Sequence, residues 1–267
     1  IMTKVGAYAI IRVYTLVFSP EVEATAGLHD VWLLPAALVS LAIGMIGVLA
    51  ARRLDRLIAF SVIGSMAMVM VSISLFTPTS IAAALYYMVH STLAAAALFL
   101  ISDLVRTGRG NVDLTAQAPV AGAALTASLF FAGAIAMAGL PPLSGFLGKL
   151  LVLDAAYGTD MMVWVWVIVL TGSLVSILGF ARAGSILFWK AHSVAPSPDA
   201  LVMPRPAVLS YLAVGGLVAL LGAHTVFAGQ VHGYTTRIAA ELFAPDAYMD
   251  AGLNTPGKLS TPSKEAH

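Results

Sequence analysis

The sequence predicts an all-α, polytopic membrane protein, and three observations lead to this fold class. Hydrophobic residues make up 60% of the 267 residues, while charged residues make up only 10%, well below the roughly 25% of soluble domains. The mean hydropathy is positive, at +0.92. Apolar runs of about 20 residues recur along the chain, and each is long enough for a helix to cross the hydrocarbon core of a bilayer.

Seven segments meet this criterion, so the sequence predicts about seven membrane crossings in one helical domain over residues 1–228. The segments are residues 1–18, 32–51, 57–76, 80–104, 119–156, 161–189 and 207–228. The chain opens on Ile1 inside the first apolar segment, so we expect the sequence to be a piece of a longer protein.

The charged residues between these segments predict the orientation of the chain. Three connections contain basic residues, whereas residues 19–31, 77–79 and 157–160 contain no Lys or Arg. Cytoplasmic loops of membrane proteins are enriched in Lys and Arg. We therefore expect the basic loops on the cytoplasmic side and the C-terminus outside. The basic residues are Arg52, Arg53, Arg56, Arg106, Arg109, Lys190 and Arg205.

The segment 119–156 is too long for one straight crossing, because 38 residues extend about 57 Å as a helix. Its middle contains two adjacent prolines, which remove backbone donors and clash with the preceding turn. We interpret the segment as one crossing made of two half-helices, a feature of ion sites in transporters. A simple proline kink that serves packing is the alternative. The residues of the predicted break at 139–142 and just after it are Gly139, Pro141, Pro142 and Gly145.

Beyond residue 228 the chain becomes polar, so residues 229–267 form a separate predicted unit. Residues 231–250 have the pattern of a short amphipathic surface helix that is interrupted at Pro245. From Asn254 onward, Thr, Pro, Gly, Ser and Lys predominate, and this composition is typical of a flexible tail.

The composition excludes several kinds of site. Cysteine is absent, which excludes disulfides, thiolate zinc sites and cysteine-ligated iron–sulfur clusters. The sequence contains no nucleotide-binding glycine loop, no Ser/His/Asp nucleophile arrangement and no metal-ligand spacing. We therefore expect no cofactor, no metal and no catalytic residue. The net charge of +1 does not indicate nucleic acid, and we expect none as a partner.

Lys149 is the clearest ionisable residue within an apolar segment. A lysine at the centre of a bilayer costs about 2.5–3.5 kcal/mol, so it should face protein or water. Beside a hydrated helix break, such a lysine can take up and release a proton. The alternative is an anchor whose side chain extends toward the polar end near Asp154.

His90 and Lys4 are two further candidates for a proton relay. His90 lies well inside the segment 80–104, between tyrosine and hydroxyl residues in the sequence YYMVHST. Histidine titrates nearest physiological pH, which suits a relay, but a lone histidine on an apolar helix can also be a hydrogen-bonded core residue. Lys4 opens the first segment, where an interfacial anchor is the alternative.

Four stretches of the chain resemble the antiporter-like membrane subunits shared by Mrp-type Na⁺/H⁺ antiporters and respiratory complex I. In chain order, they resemble the family's lysine-bearing eighth helix, its basic turn with the following helix, its histidine-bearing helix and its broken twelfth helix. The third and fourth contain His90 and Lys149. The stretches are TKVGAYAIIRV (3–13), RLDRLIAFSVIGSM (53–66), MVHSTLAAAALFL (88–100) and AGLPPLSGFLGKLL (138–151). Within the family, GLPPLSGFLGKL and the tail ELFAPDAYMDAGL are most similar to the D-type subunits of Mrp antiporters.

The resemblance implies a function. Lys4 and His90 would pass protons toward Lys149, and proton uptake would be coupled to Na⁺ export. The partners would be H⁺, Na⁺, the lipid bilayer and the other subunits of a hetero-oligomeric complex in a bacterial inner membrane. The resemblance covers about seven of the family's fourteen helices. Asp55 stands where complex I relatives usually have lysine, which weakens any role for that basic turn.

Two other functions stay open. The chain could belong to the membrane arm of an NADH–quinone oxidoreductase or a membrane hydrogenase, where electron transfer would drive the same proton machinery. It could also be a scaffold that conducts no ions, and transport that survives the loss of Lys149 would favour this third function.

Overall fold

The computed structural model describes residues 2–18, 29–120, 122–195 and 205–244. Within these ranges the chain forms nine α-helices, and the one β-type contact is an isolated bridge between Arg53 and Asp113. The all-α fold class is therefore confirmed. The helices are α1 (Met2–Leu16), α2 (Leu34–Ala50), α3 (Leu54–Ser74), α4 (Pro78–Arg109), α5 (Ala123–Ala138), α6 (Ser144–Ala155), α7 (Met162–Gly184), α8 (Val208–Val226) and α9 (Ala228–Leu242).

In the described part of the chain, five helices are long and apolar enough to cross a membrane. They are α2 with the turn before it, α3, α4, α7 with the turns after it, and α8. The other two predicted segments form shorter helices: α1 has 15 residues, and the segment 119–156 is divided into α5 and α6. The chain is thus a multi-pass membrane protein, and the count of seven crossings stays a prediction.

Helix α4 is the central element of the bundle, since α3, α5, α6, α8 and α9 all pack against it. It begins with a capping box, in which the Thr77 side chain accepts a hydrogen bond from the Ser80 backbone and the Ser80 side chain accepts one from the Thr77 backbone. Pro78 occupies the first turn, where its missing N–H is not needed. Gly110 ends the helix at a φ of 76°, a left-handed conformation that suits glycine. These capping features define the two ends of α4, which is one continuous helix of 32 residues.

Helices α2 and α3 pack closely because a glycine of each helix faces the other. A Cβ atom on Gly44 would lie only 2.7 Å from the backbone nitrogen of Gly64. Small residues at such positions allow two membrane helices to approach closely and gain van der Waals contact. The close α2–α3 pair forms one wall of the pocket that surrounds Lys149.

Two of the predicted basic loops lie at the same end of the bundle. The backbone N–H of Leu54 donates to the carbonyl of Val112, and the N–H of Leu114 donates to the carbonyl of Arg52. Arg53 also pairs with Asp55 at 2.7 Å. The loop after α2 and the loop after α4 therefore form one basic surface. The acidic residues of the loop 19–31 are not among the residues whose side chains the structure describes.

The C-terminal part of the chain runs alongside the broken segment. Near its start, α8 contacts α5 through the hydroxyls of Tyr211 and Thr126, 3.1 Å apart. Near its end, the Thr225 hydroxyl accepts a hydrogen bond from the Ser144 backbone. Helix α8 thus ends at the level of the break, and α9 continues from there.

The predicted C-terminal amphipathic helix is present as α9, which begins at Ala228 rather than at residue 231. One face of α9, with Thr235, Ala239 and Leu242, is buried, and the helix packs against α4. The amphipathic helix is therefore confirmed, and its apolar face is covered by another helix of the same chain. The predicted interruption at Pro245 and the tail lie outside the described residues.

The glycine contact between α2 and α3 gives a test of the fold. The atoms that the new Cβ of Gly44→Ala would meet all belong to the backbone, so no change of rotamer relieves the contact. We expect the substitution to lower the free energy of unfolding by about 1–3 kcal/mol. Gly216→Ala on α8 is the control, because nothing lies within 4 Å of its Cβ position. The measurement is the Tm of the purified complex, and equal shifts for both variants would contradict the packing.

Candidate functional site

The predicted segment 119–156 is interrupted at the predicted place. Helix α5 ends at Ala138 and α6 begins at Ser144. Gly139 adopts a φ of 75°, which turns the chain out of the helix. In an unbroken helix the carbonyl of Ala138 would accept from the N–H of residue 142, but Pro142 has none. The break therefore leaves carbonyls at the end of α5 that need other donors.

Lys149 supplies the donor that Pro142 lacks. Its ammonium donates to the carbonyl of Ala138 at 2.6 Å and to the hydroxyl of Ser173 at 2.9 Å. The Ser173 hydroxyl in turn donates to the carbonyl of Val169, so its oxygen is free to accept from Lys149. The side chain is 8% exposed and turns back toward the break. It does not extend to the polar end near Asp154.

The break leaves no space for side chains beside Lys149 and His90. A Cβ atom on Gly139 would lie 2.9 Å from Nζ of Lys149 and 2.8 Å from Cδ and Cε. A Cβ atom on Gly145 would contact the carbonyl of Ala136 and would lie 2.6 Å from Nε2 of His90. Each glycine at the break thus has a specific reason to be glycine. The peptide bond between Pro141 and Pro142 is cis.

His90 bridges the two half-helices. It is fully buried on α4, with Nδ1 2.9 Å from the Ser144 hydroxyl and Nε2 3.1 Å from the carbonyl of Ala136. A carbonyl can only accept, so Nε2 carries a hydrogen. Nδ1 then accepts from Ser144 when the ring is neutral and donates to it when the ring is charged. The arrangement accommodates both protonation states with the same neighbours.

Lys4 is on a different helix from this pair and makes no hydrogen bond to it. It is 7% exposed on α1, where Ala7, Ile11 and Thr15 continue its buried stripe. Its ammonium makes no hydrogen bond to the described residues. The structure therefore brings His90 and Lys149 together at the break, while Lys4 is buried on a separate helix that packs against α3.

Sequence reasoning missed the serines around Lys149. A cavity of about 10 Å³ beside the lysine is lined by hydroxyl groups of α3 and α7, and this is room for roughly one water molecule. The pairs 61/65 and 173/176 have the helical spacing that places two side chains on one face, which is the signal that could have found them. Within the described ranges no group of His, Asp and Glu could hold a metal ion. The serines are Ser61, Ser65, Ser173 and Ser176.

Sequence comparison relates the chain to the D subunits of bacterial antiporters. It is 30% identical to the D subunit of a probable K⁺/H⁺ antiporter of Rhizobium meliloti, over 96% of this chain and 52% of that protein. It is also 30% identical to the D subunit of a Na⁺/H⁺ antiporter of Bacillus subtilis, over 95% of this chain and 50% of that protein. The chain therefore spans about half the length of these relatives.

Solved structures share the fold. A chain of the Mrp complex from Dietzia sp. matches 94% of this chain, and 53% of its own length, with a TM-score of 0.77 and 22% identity. A chain of respiratory complex I from Thermus thermophilus matches 90% of this chain, and 50% of its own length, with a TM-score of 0.72 and 23% identity. The sequence profile described as "NADH:quinone oxidoreductase/Mrp antiporter, TM" matches residues 1–176. The chain belongs to this family of transmembrane subunits.

Proposed function

We propose that the chain is part of a D-type subunit of a multisubunit cation/proton antiporter, in which it carries a proton path and couples proton uptake to Na⁺ export. The observation that supports this most directly is the buried ammonium of Lys149, held at the helix break by Ala138 and Ser173. The sequence similarity to antiporter D subunits supports the same function. The other subunits of a bacterial inner-membrane complex would be its partners.

Lys149 is the proposed proton-loading group. An ammonium has three hydrogens and a neutral amine has two hydrogens and one lone pair. Two hydrogens occupy the bonds to Ala138 and Ser173 in either state, so the third position gains and loses the proton. Because the two bonds persist, the side chain need not move when its charge changes. This is a useful property for a group that is loaded and unloaded repeatedly.

His90 is the proposed relay before Lys149. Its proton changes at Nδ1, where the rotating hydroxyl of Ser144 can reverse the direction of its hydrogen bond. His90 thus takes up and releases its proton through Ser144, and it keeps its bond to the carbonyl of Ala136 throughout. Lys4 would feed this relay from α1, and water would have to connect it, since no described side chain hydrogen-bonds to its ammonium.

A membrane-arm subunit of a redox-linked complex, such as an NADH–quinone oxidoreductase or a membrane hydrogenase, is the second candidate function. The fold likeness to a complex I chain favours it, and the same Lys and His residues would serve there. Partner proteins discriminate between the two candidates, because the redox complexes need iron–sulfur subunits that an antiporter lacks. A scaffold without transport is the third candidate.

For orientation, we propose that the basic loops face the cytoplasm and that the C-terminus lies outside. The loops after α2 and α4 form one basic surface, which supports a location of both loops on the same side of the membrane. The absence of cysteine from the chain makes labelling of single introduced cysteines a direct test. Arg53→Cys should react with an impermeant reagent from the cytoplasmic side, and Asp160→Cys should react from the outside. The reverse pattern would overturn the orientation.

The main prediction concerns Lys149. We expect Lys149→Ala to reduce antiport to near background. Alanine favours helix and removes a buried charge, but it leaves the Ala138 carbonyl without its donor, so the rate is compared per assembled complex. Lys149→Arg should fail as well, since a guanidinium does not release its proton. The measurement is the Na⁺-dependent collapse of a pH gradient in inverted vesicles that contain the complete complex.

The amount of assembled complex in the same membranes is the control for both variants. An interfacial anchor would behave differently, because arginine anchors as well as lysine does. Near-normal exchange by Lys149→Arg would therefore exclude the proton-loading role.

A second prediction separates backbone strain from the position of Lys149. Gly139 and Gly158 both have positive φ values, 75° and 79°, but only Gly139 touches Lys149. Alanine at either position should cost about 1–2 kcal/mol of stability from its backbone conformation. We expect Gly139→Ala to lose antiport as well, since its Cβ displaces the ammonium. Gly158→Ala should retain the rate, and equal rates for the two variants would contradict the proposed geometry.

A further inference from the structure

Three polar aromatic side chains with unused polar atoms lie where α8 meets α9. Neither ring nitrogen of His224 forms a hydrogen bond to the described residues, and the same is true of the Tyr86 hydroxyl and of Nδ1 of His232. His224 is 6% exposed and Tyr86 is 1% exposed. A buried polar group without a partner is costly, so such a cluster in one place needs an explanation.

The three side chains form a row that starts at the proposed relay. The ring of His224 lies 6.4 Å from that of His90 and 4.6 Å from that of Tyr86, measured between centroids. Tyr86 in turn lies 6.4 Å from the ring of His232. Tyr86 and His90 are four residues apart on α4, and therefore share one face of that helix. We call His224, Tyr86 and His232 the polar row.

The far end of the polar row lies at a groove of about 650 Å³. Tyr86 and His232 both line this groove, together with Asp154 at the end of α6 and Gly229 at the start of α9. Most of its other lining residues are leucines. The groove thus has a mostly apolar lining with three polar side chains, and two of these, Tyr86 and His232, belong to the polar row.

Ser144 lies between His90 and α8, the helix that carries His224. Both nitrogens of His90 are engaged, by the Ser144 hydroxyl and the Ala136 carbonyl. The carbonyl cannot pass a proton on, so the hydroxyl is the group that can. The backbone of Ser144 also donates to Thr225, the neighbour of His224 in the chain. The start of α6 is therefore fixed against the part of α8 that carries His224.

We propose that the polar row holds water and forms a branch of the proton path, from His90 through Ser144, His224 and Tyr86 to the groove at Asp154 and His232. This branch rests on the proposed function, because His90 must carry protons. Imidazole and phenol groups both donate and accept hydrogen bonds. In each hop, one N–H or O–H bond breaks and one O–H or N–H bond forms on the next group. After a proton has passed, each hydroxyl has to rotate and each imidazole has to exchange its tautomer before the next proton can follow.

The alternative is that the row is only packing, since the tilted contact of Tyr86 and His224 also stabilises as an aromatic pair. Packing needs the rings alone. A proton branch needs their nitrogen and oxygen atoms and the water between them. The two explanations therefore differ for variants that keep a ring and lose its polar atoms.

The first test measures hydration and does not depend on transport. His224→Cys and His232→Cys are introduced singly into a cysteine-free complete complex, with Leu221→Cys as the control because it is buried one turn away on the same helix. A hydrated thiol ionises and reacts with a small hydrophilic methanethiosulfonate, whereas a thiol in a dry core does not. We expect both histidine positions to react at least about tenfold faster than Leu221→Cys. Equal slow reaction of all three would overturn the branch, whatever Lys149 does.

The second test measures transport with rings that keep their shape. His224→Phe and Tyr86→Phe should assemble normally and lower the maximal antiport rate about tenfold or more with the KM for Na⁺ unchanged, because they remove a proton step and not a cation site. His192→Phe is the matched control, an exposed histidine away from the row, and should keep the rate. Normal antiport rates for both His224→Phe and Tyr86→Phe would show that the polar row serves packing alone. A failure of Lys149→Ala to reduce antiport would instead refute the proposed function, while the labelling result would still stand.

Discussion

The arrangement of the site depends on one hydrogen bond, from the ammonium of Lys149 to the carbonyl of Ala138. The two prolines break the helix and remove the N–H that this carbonyl would otherwise accept. A free carbonyl at that depth of a membrane needs a donor from protein or water. A buried ammonium equally needs acceptors. Each group meets the requirement of the other, so the break and the buried cation stabilise each other.

The surrounding helices enclose the Lys149 ammonium and the Ala138 carbonyl. The close glycine contact of α2 and α3, and the hydroxyl-bearing faces of α3 and α7, form the wall beside Lys149. Helix α4 is continuous and carries His90 to the same break, where its ring holds the end of α5 and the start of α6 together. The start of α6 is also bonded to Thr225 on α8. Several helices thus converge on the short irregular backbone between Ala138 and Ser144.

Much of the fold could be predicted from the sequence, because the signals involved are local. Apolar length predicts the long helices, and adjacent prolines after Gly139 predict the break. The partners of Lys149 and His90 could not be predicted, since Ser173 lies 24 residues from Lys149 and Ser144 lies 54 residues from His90. Such pairings depend on how helices rotate about their axes. The path of α9 along α4 could not be predicted for the same reason, because amphipathicity identifies a buried face but not the surface that covers it.

The pocket of Lys149 accommodates a buried charge. Placing a lysine at the centre of a bilayer costs about 2.5–3.5 kcal/mol. A hydrogen bond from a charged donor contributes about 1 kcal/mol more than one from a neutral donor, and Lys149 makes two such bonds. The ammonium therefore recovers about 2 kcal/mol through Ala138 and Ser173 that the neutral amine does not. The two bonds thus offset a large part of the cost of burying the charge.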